Sequence, residues 1–254
     1  MSEKLKALLL DVDGTLADTE RDGHRVAYNR AFVAAGLDWH WDIELYRKLL
    51  AVSGGKERMR FYLERFNNGC EAPAEPDGLI DRLYQLKTGF YLELMKEAAI
   101  PLRPGVERLL KEAHSSGLRL AIATTTGAEN VAALLESSIG PESIAWFDII
   151  AAGDVVPRKK PAPDIYFYAL QKMGLPASAC LAVEDSDNGV AASTAAGLKT
   201  IVTVNEYTKS QDFSAAAIVL DQLGEPGAGF RVLAGDAGGS TYADIAFLNR
   251  IFRQ

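Results

Sequence analysis

The chain has 254 residues, 48% of them apolar, with 34 acidic against 27 basic side chains and a net charge of −7. That is enough for a full core, read as one main domain with a sizeable insertion. The acidic balance speaks against a general nucleic-acid or anionic-membrane surface, though a few cations focused in one cleft would still serve an anionic substrate. The two cysteines, Cys70 and Cys180, stand far apart in unrelated contexts and read as unpaired thiols in a reducing compartment. No signal-peptide pattern opens the chain, since Asp11 and Asp13 interrupt the early apolar run, and no stretch is long enough to span a bilayer. The expectation is a soluble, cytoplasmic protein.

Ala7–Leu10 is a short apolar run of the kind a parallel sheet buries on both faces. It leads into Asp11-Val12-Asp13-Gly14-Thr15. Two carboxylates one residue apart at the exit of a buried strand need a cation, a shared proton or exposure. From about Glu20 the apolar residues recur at helical spacing through Tyr28, Phe32 and Ala35, then around Ile43–Leu50, Arg58–Phe66 and Leu79–Ala98. No strand interrupts them. Residues 18–98 are therefore expected to form an all-helical cap inserted into a core of residues 1–17 and 99–254.

Pro101, Pro104 and Gly105 punctuate the return to the core, and a helical pattern resumes at Val106. Strands are then predicted at Leu118–Ala123, Phe147–Ala151, Ala179–Val183 and Thr200–Val204, with a weaker candidate at Ala216–Leu220. Helical segments separate the first four. The alternation specifies an α/β, Rossmann-like parallel sheet, whose ligands bind beyond the carboxyl ends of its strands. The Gly-rich tail from Gly224 reads as packing material with mobile loops, closed by a helix near Ala243–Phe252.

The strand ends carry the chemistry. The first ends in Asp11 and Asp13, the next in Thr124-Thr125-Thr126, the third leads to Lys159-Lys160, and the fourth ends in Glu184-Asp185. Each has a plain structural alternative. Thr124 would cap a helix from Ala128, Lys160 would be a solvated member of a basic run, and Glu184-Asp185 would cap a helix from Asn188. Together they bring acids, a hydroxyl and an ammonium to one rim, a set suited to a phosphoryl group and a hard divalent cation such as magnesium.

The order of these motifs resembles the haloacid dehalogenase superfamily: Asp11-x-Asp13-Gly14-Thr15, then Thr124, Lys160 and Glu184-Asp185. Within it the chain is most similar to CbbY-type sugar bisphosphate phosphatases, through Gly54-Gly55-Lys56-Glu57-Arg58-Met59, Lys159-Lys160-Pro161-Ala162-Pro163-Asp164 and Glu184-Asp185-Ser186-Asp187-Asn188-Gly189. The resemblance implies Asp11 as nucleophile, Asp13 as general acid–base, and Thr124 and Lys160 as phosphoryl-binding groups. It implies Mg2+ on Asp11, the Asp13 main-chain oxygen and Asp185, with Glu184 ordering a bound water. It also implies hydrolysis of a sugar bisphosphate, notably xylulose 1,5-bisphosphate, and thereby an indirect functional link to Rubisco, which that compound inhibits.

The cap is expected to close over the site and choose the substrate. Gly54 and Gly55, followed by Lys56 and Arg58, would grip a distal phosphate; the alternative is a hinge before a solvated helix face. Thr125 and, by its resemblance to a cap lysine of related phosphomutases, Lys87 are further substrate-binding candidates. Glu20 would accept from sugar hydroxyls or serve as an ordinary helix-start carboxylate. His24 is read either way, while His40, His114 and the Trp39/Trp41 pair read as structural. Two other functions fit the shared groups: a phosphosugar mutase, and a non-enzymatic phospho-accepting receiver module, against which the large cap and Asp13 both argue.

Overall fold

A computed structural model describes residues 4–67, 75–97 and 100–254. The chain divides into two compact units, one running to Asp18 and resuming at Pro101, the other spanning Thr19–Ile100.

The first unit is built on a seven-stranded sheet in the order β3-β2-β1-β4-β5-β6-β7. Its strands are β1 (Ala7–Leu10), β2 (Arg119–Ala123), β3 (Phe147–Ala151), β4 (Cys180–Glu184), β5 (Lys199–Thr203), β6 (Ile218–Leu220) and β7 (Val232–Ala234). All pairs are parallel except β6 with β7. Both faces of β1 are buried, as its unbroken apolar run requires. β7 has no counterpart among the predicted strands; it is exposed along its whole length and has no burial pattern for a sequence to show. The weak candidate at Ala216–Leu220 shortens to β6. Connections after β1 run to one side of the sheet and from β4 onward to the other, so the strand order reverses between β1 and β4. A crevice opens at such a reversal.

The two chain crossings between the units are fastened to each other within the first: Ala17 bridges Leu102, and the Arg103 N–H donates to the Leu16 carbonyl at 2.8 Å. The Gly-rich tail is not loose. A methyl group on Gly229 would lie 2.7 Å from the Thr241 carbonyl, and one on Gly105 would lie 2.3 Å from that of Gly224. Glycine is needed there for close backbone approach. The closing helix, Ile245–Arg253, is capped by Asp244 accepting from the Phe247 N–H (2.7 Å) and buries Phe247, Leu248 and Ile251.

The second unit holds helices joined by loops, with no strand among its described residues. A π-helical turn, Glu20–His24, runs into α1 (Arg25–Ala34), followed by α2 (Ile43–Leu49), α3 (Gly55–Arg65) and α4 (Pro76–Glu97). Asp42 caps α2 through the Leu45 N–H at 2.8 Å. Trp39 and Trp41 are buried against Phe32 and Tyr62, and Trp41 also meets Tyr28 and Tyr46. The tryptophans thus form this unit's own core. Cys70 lies outside the described residues; Cys180 is buried and free.

Candidate active site

Sheet register assembles the site. Leu10 pairs with Ile122 of β2 and Val183 of β4, and the Asp11 N–H continues the ladder to the Val183 carbonyl at 3.0 Å. One residue further on, Asp11 is level with Glu184. Gly14 (φ +86°) then turns the chain back, its N–H donating to the Ala17 carbonyl at 2.8 Å, and a side chain there would collide with Asp185. Asp13 stands half-buried in the same turn.

Lys160 is buried, not solvated. Its Nζ lies 2.6 Å from Asp11 Oδ1 and 2.6 Å from Glu184 Oε1. Asp11 Oδ2 accepts from the Thr15 hydroxyl (3.3 Å), and the Tyr166 hydroxyl donates to Glu184. Neither acid caps the following helix, Asp187–Ala195; Ser186 does, accepting from the Gly189 N–H at 3.2 Å. Gly189 also makes room for the Glu184 carboxylate, since a methyl there would fall 2.0 Å from Glu184 Oε2.

Asp11, Glu184 and Asp185 are buried, with one oxygen from each lying within 4.8 Å of the others. Burial pushes the Asp11 carboxyl up to about 7; Lys160 opposes this, and Glu184 and Asp13 reinforce it. Burial also raises Asp185 well above the usual carboxylate range, with Asp11 and Glu184 adding to it. Burial alone would lower Lys160, but Asp11 and Glu184 outweigh it and hold the ammonium firmly charged. Arg103 opposes the rise at Asp185, but Lys160 and Arg103, the latter shared with Asp18, do not balance three buried carboxylates. Glu184 Oε2 is also buried with no hydrogen-bond partner among the described residues. An all-oxygen, acid-rich set with spare acceptor capacity fits a divalent cation.

Thr124 lies at the end of β2, buried, its N–H donating to the Ala151 carbonyl (3.0 Å) and its Oγ1 accepting from the Thr126 N–H (3.3 Å). It does not cap the helix that follows, Ala128–Ser138, where Gly127 holds the capping position instead. Thr125 is half-buried beside it.

The cap candidates form a separate group within the second unit. Arg58 is buried and donates to both Glu20 oxygens at 3.3 Å and to the Tyr46 hydroxyl at 2.8 Å, while Tyr46 donates to Glu20. Burial would lower the Arg58 pKa, but Glu20 outweighs it and holds the guanidinium charged. Lys87 is buried, its Nζ 5.4 Å from the Tyr28 ring centre and 5.3 Å from that of Tyr91, on which His24 stacks. Lys56 pairs with Asp81 at 2.6 Å. Gly54 (φ +94°) opens α3 with the Glu57 carboxylate folded against it, and Gly55 is wedged beneath the Tyr28 hydroxyl and the Tyr84 ring. His40 is exposed, and His114, also exposed, stacks on Trp146.

Four residues at the core site have no role that sequence pattern alone assigns. Thr15 and Tyr166 sit within or beside the motifs, but only the folded chain shows what their hydroxyls bind. Asn205 and Arg103 fall outside every motif, although Asn205 stands just past the end of β5, where the strand-end rule points.

A family model described as haloacid dehalogenase-like hydrolase matches residues 5–197. Protein CbbY of Rhodobacter capsulatus is 50% identical over 213 residues, 84% of this chain and 91% of that protein. Protein CbbY of Cereibacter sphaeroides is 46% identical over 88% of this chain and 94% of its own length. A crystal structure of mutant CbbY from Rhodobacter sphaeroides in complex with xylulose-(1,5)bisphosphate superposes with a TM-score of 0.80 at 46% identity, covering 86% of this chain and 94% of that one.

Proposed function

Because this chain belongs to the haloacid dehalogenase-like hydrolases, and within them to the CbbY kind, we propose that it is a magnesium-dependent phosphatase of sugar bisphosphates. Xylulose 1,5-bisphosphate is the proposed substrate and xylulose 5-phosphate the product. The observation that carries this reading is the buried trio Asp11, Glu184 and Asp185, of which the first two pair with Lys160. The substrate is supported by the relative crystallised with that compound.

In the proposed reaction the Asp11 carboxylate attacks phosphorus, an aspartyl–phosphate bond forms, and the bond to the sugar oxygen breaks. Asp13 gives its proton to the departing alkoxide. It then takes one from the water that attacks the aspartyl-phosphate, which frees inorganic phosphate and restores Asp11. Lys160 and the Thr124 hydroxyl hold phosphoryl oxygens as charge builds on them. Magnesium, when held by the Asp11 and Asp185 carboxylates and the Asp13 main-chain oxygen, neutralises the repulsion between the nucleophile and the phosphate. Glu184 anchors Lys160 through one oxygen and keeps the other available for a bound water.

Lys56, Arg58, Lys87, Gly54, Gly55, Glu20 and Thr125 remain the proposed substrate contacts. Arg58 and Lys87 are the buried cations of this set; Arg58 is held by Glu20 and Lys56 by Asp81. A cytoplasmic setting and an indirect service to Rubisco complete the proposal. The experiment is phosphate release from a panel of five-carbon sugar mono- and bisphosphates. The bisphosphate should lead in kcat/KM by roughly tenfold or more, about 1.4 kcal/mol of discrimination. Equal rates across the panel, or an isomerised monophosphate in place of inorganic phosphate, would contradict it.

A further inference from the structure

Asp185 makes a hydrogen bond that the proposed reaction does not use. Its Oδ2 accepts from the Asn205 side-chain amide at 2.7 Å, and the same amide reaches toward the Gly14 carbonyl at 3.4 Å. The orientation of that amide is set by its other end. Asn205 Oδ1 accepts from the Tyr207 N–H at 2.9 Å, closing a local turn, so the NH2 group can only face Asp185. The Asn205 N–H is in turn bound to the Thr208 hydroxyl at 3.0 Å.

Gly14 clears the space for this pair. A methyl group on it would lie 2.3 Å from Asp185 Oδ2 and 2.5 Å from Asn205 Nδ2. The glycine directly after the two catalytic acids therefore admits an asparagine that lies 191 positions later in the chain.

Arg103 holds the surrounding loops together. Its guanidinium donates to the Gly14 carbonyl, to the Thr203 carbonyl (2.9 Å) and hydroxyl (3.2 Å), to the Val204 carbonyl (2.6 Å) and to the Asp221 carbonyl (2.9 Å). Its Nε stands 3.6 Å from Asp18. One buried side chain thus ties the ends of β1, β5 and β6, and brackets Asn205 from the residues just before it.

We infer that Asn205, held in place by the loops that Arg103 ties together, is a positioning residue that occupies one oxygen of Asp185 and so presents the other to the divalent cation. This rests on the metal-site reading given under the proposed function. A ligating carboxylate is commonly oriented by such an outer hydrogen bond, and its loss weakens metal binding about 10–100-fold.

The test is direct titration of Mn2+ as probe, following free Mn2+ by electron paramagnetic resonance, on the wild type and on Asn205→Ala, Asn205→Ser and Asp185→Asn. Serine keeps an oxygen for the turn to Tyr207 but is too short to reach Asp185, so it preserves the loop if alanine does not. Both Asn205 variants should raise the Mn2+ dissociation constant roughly 10–100-fold. Their melting temperatures in chelator should stay close to wild type, and their kcat should recover at saturating metal. Unchanged Mn2+ affinity in the serine variant would overturn the inference, and so would a loss of kcat that saturating metal leaves in place. Equal Mn2+ binding by wild type and Asp185→Asn would instead overturn the metal-site reading itself.

Discussion

Each unit carries a buried cluster of charges, and the two are balanced in opposite ways. In the α/β unit, Asp11, Glu184 and Asp185 lie together, and one buried ammonium, Lys160, pairs with the first two. In the helical unit, Arg58 is matched to Glu20 one for one with Tyr46 completing the triangle, and Lys87 is buried among tyrosine rings. The first cluster has an excess of buried acid, a donor set that fits a divalent cation. The second pairs its one carboxylate with Arg58 and buries a further cation, Lys87. The contrast shows how an acidic chain can bury cations within each of its units without a basic surface.

The comparison breaks most sharply at Asp11. Replacing it by asparagine keeps the shape, removes the nucleophile, and should lower turnover roughly 10⁴-fold or more, measured as phosphate release. Lys160→Met is next. It leaves Asp11 and Glu184 without the buried ammonium they share and should cost about 3–5 kcal/mol of stability in chelator. Added magnesium should restore a large part of that, which a paired melting series would show.

A third consequence is pH dependence of the metal-free protein. Burial lifts Asp11 from 3.8 to about 7, so the folded state holds that proton more tightly than the unfolded one. Its contribution to stability is therefore complete below about pH 4 and lost as pH rises through 7, with a slope up to about 1.4 kcal/mol per pH unit. Melting curves in chelator should fall across this range, and magnesium should flatten them. The smallest effect belongs to the helical unit. Glu20→Gln weakens the partner of Arg58 and should cost about 1–3 kcal/mol, with no dependence on magnesium when unfolding is followed with and without the metal.

Much of this is legible in the chain because buried parallel strands are short apolar runs and their carboxyl ends are easy to read. Asp11, Thr124, Lys160 and Glu184-Asp185 follow from taking the residues after each run. The same step at the end of β5 arrives at Asn205, whose neutral amide carries no charge signal to mark it beside the acids. Arg103 gives no signal either, since a buried arginine serving backbone and hydroxyl oxygens looks like any other cation near a helix start. The tail misleads because glycine reads the same whether it marks mobility or, as at Gly229, a close backbone approach. In the helical unit the spacing finds α1 to α4, but α3 begins at Gly55 and not Arg58, and nothing in composition shows that Arg58 points inward to Glu20.

The most direct measurement is to quench the wild-type enzyme with acid during turnover of xylulose 1,5-bisphosphate and locate the phosphoryl group by peptide mass spectrometry. The peptide containing Asp11 should carry it, and the label should vanish when the enzyme is preincubated with chelator. A phosphoryl group on any other residue, or rapid phosphate release with no covalent label at any quench time, would contradict a nucleophilic aspartate at the heart of this site.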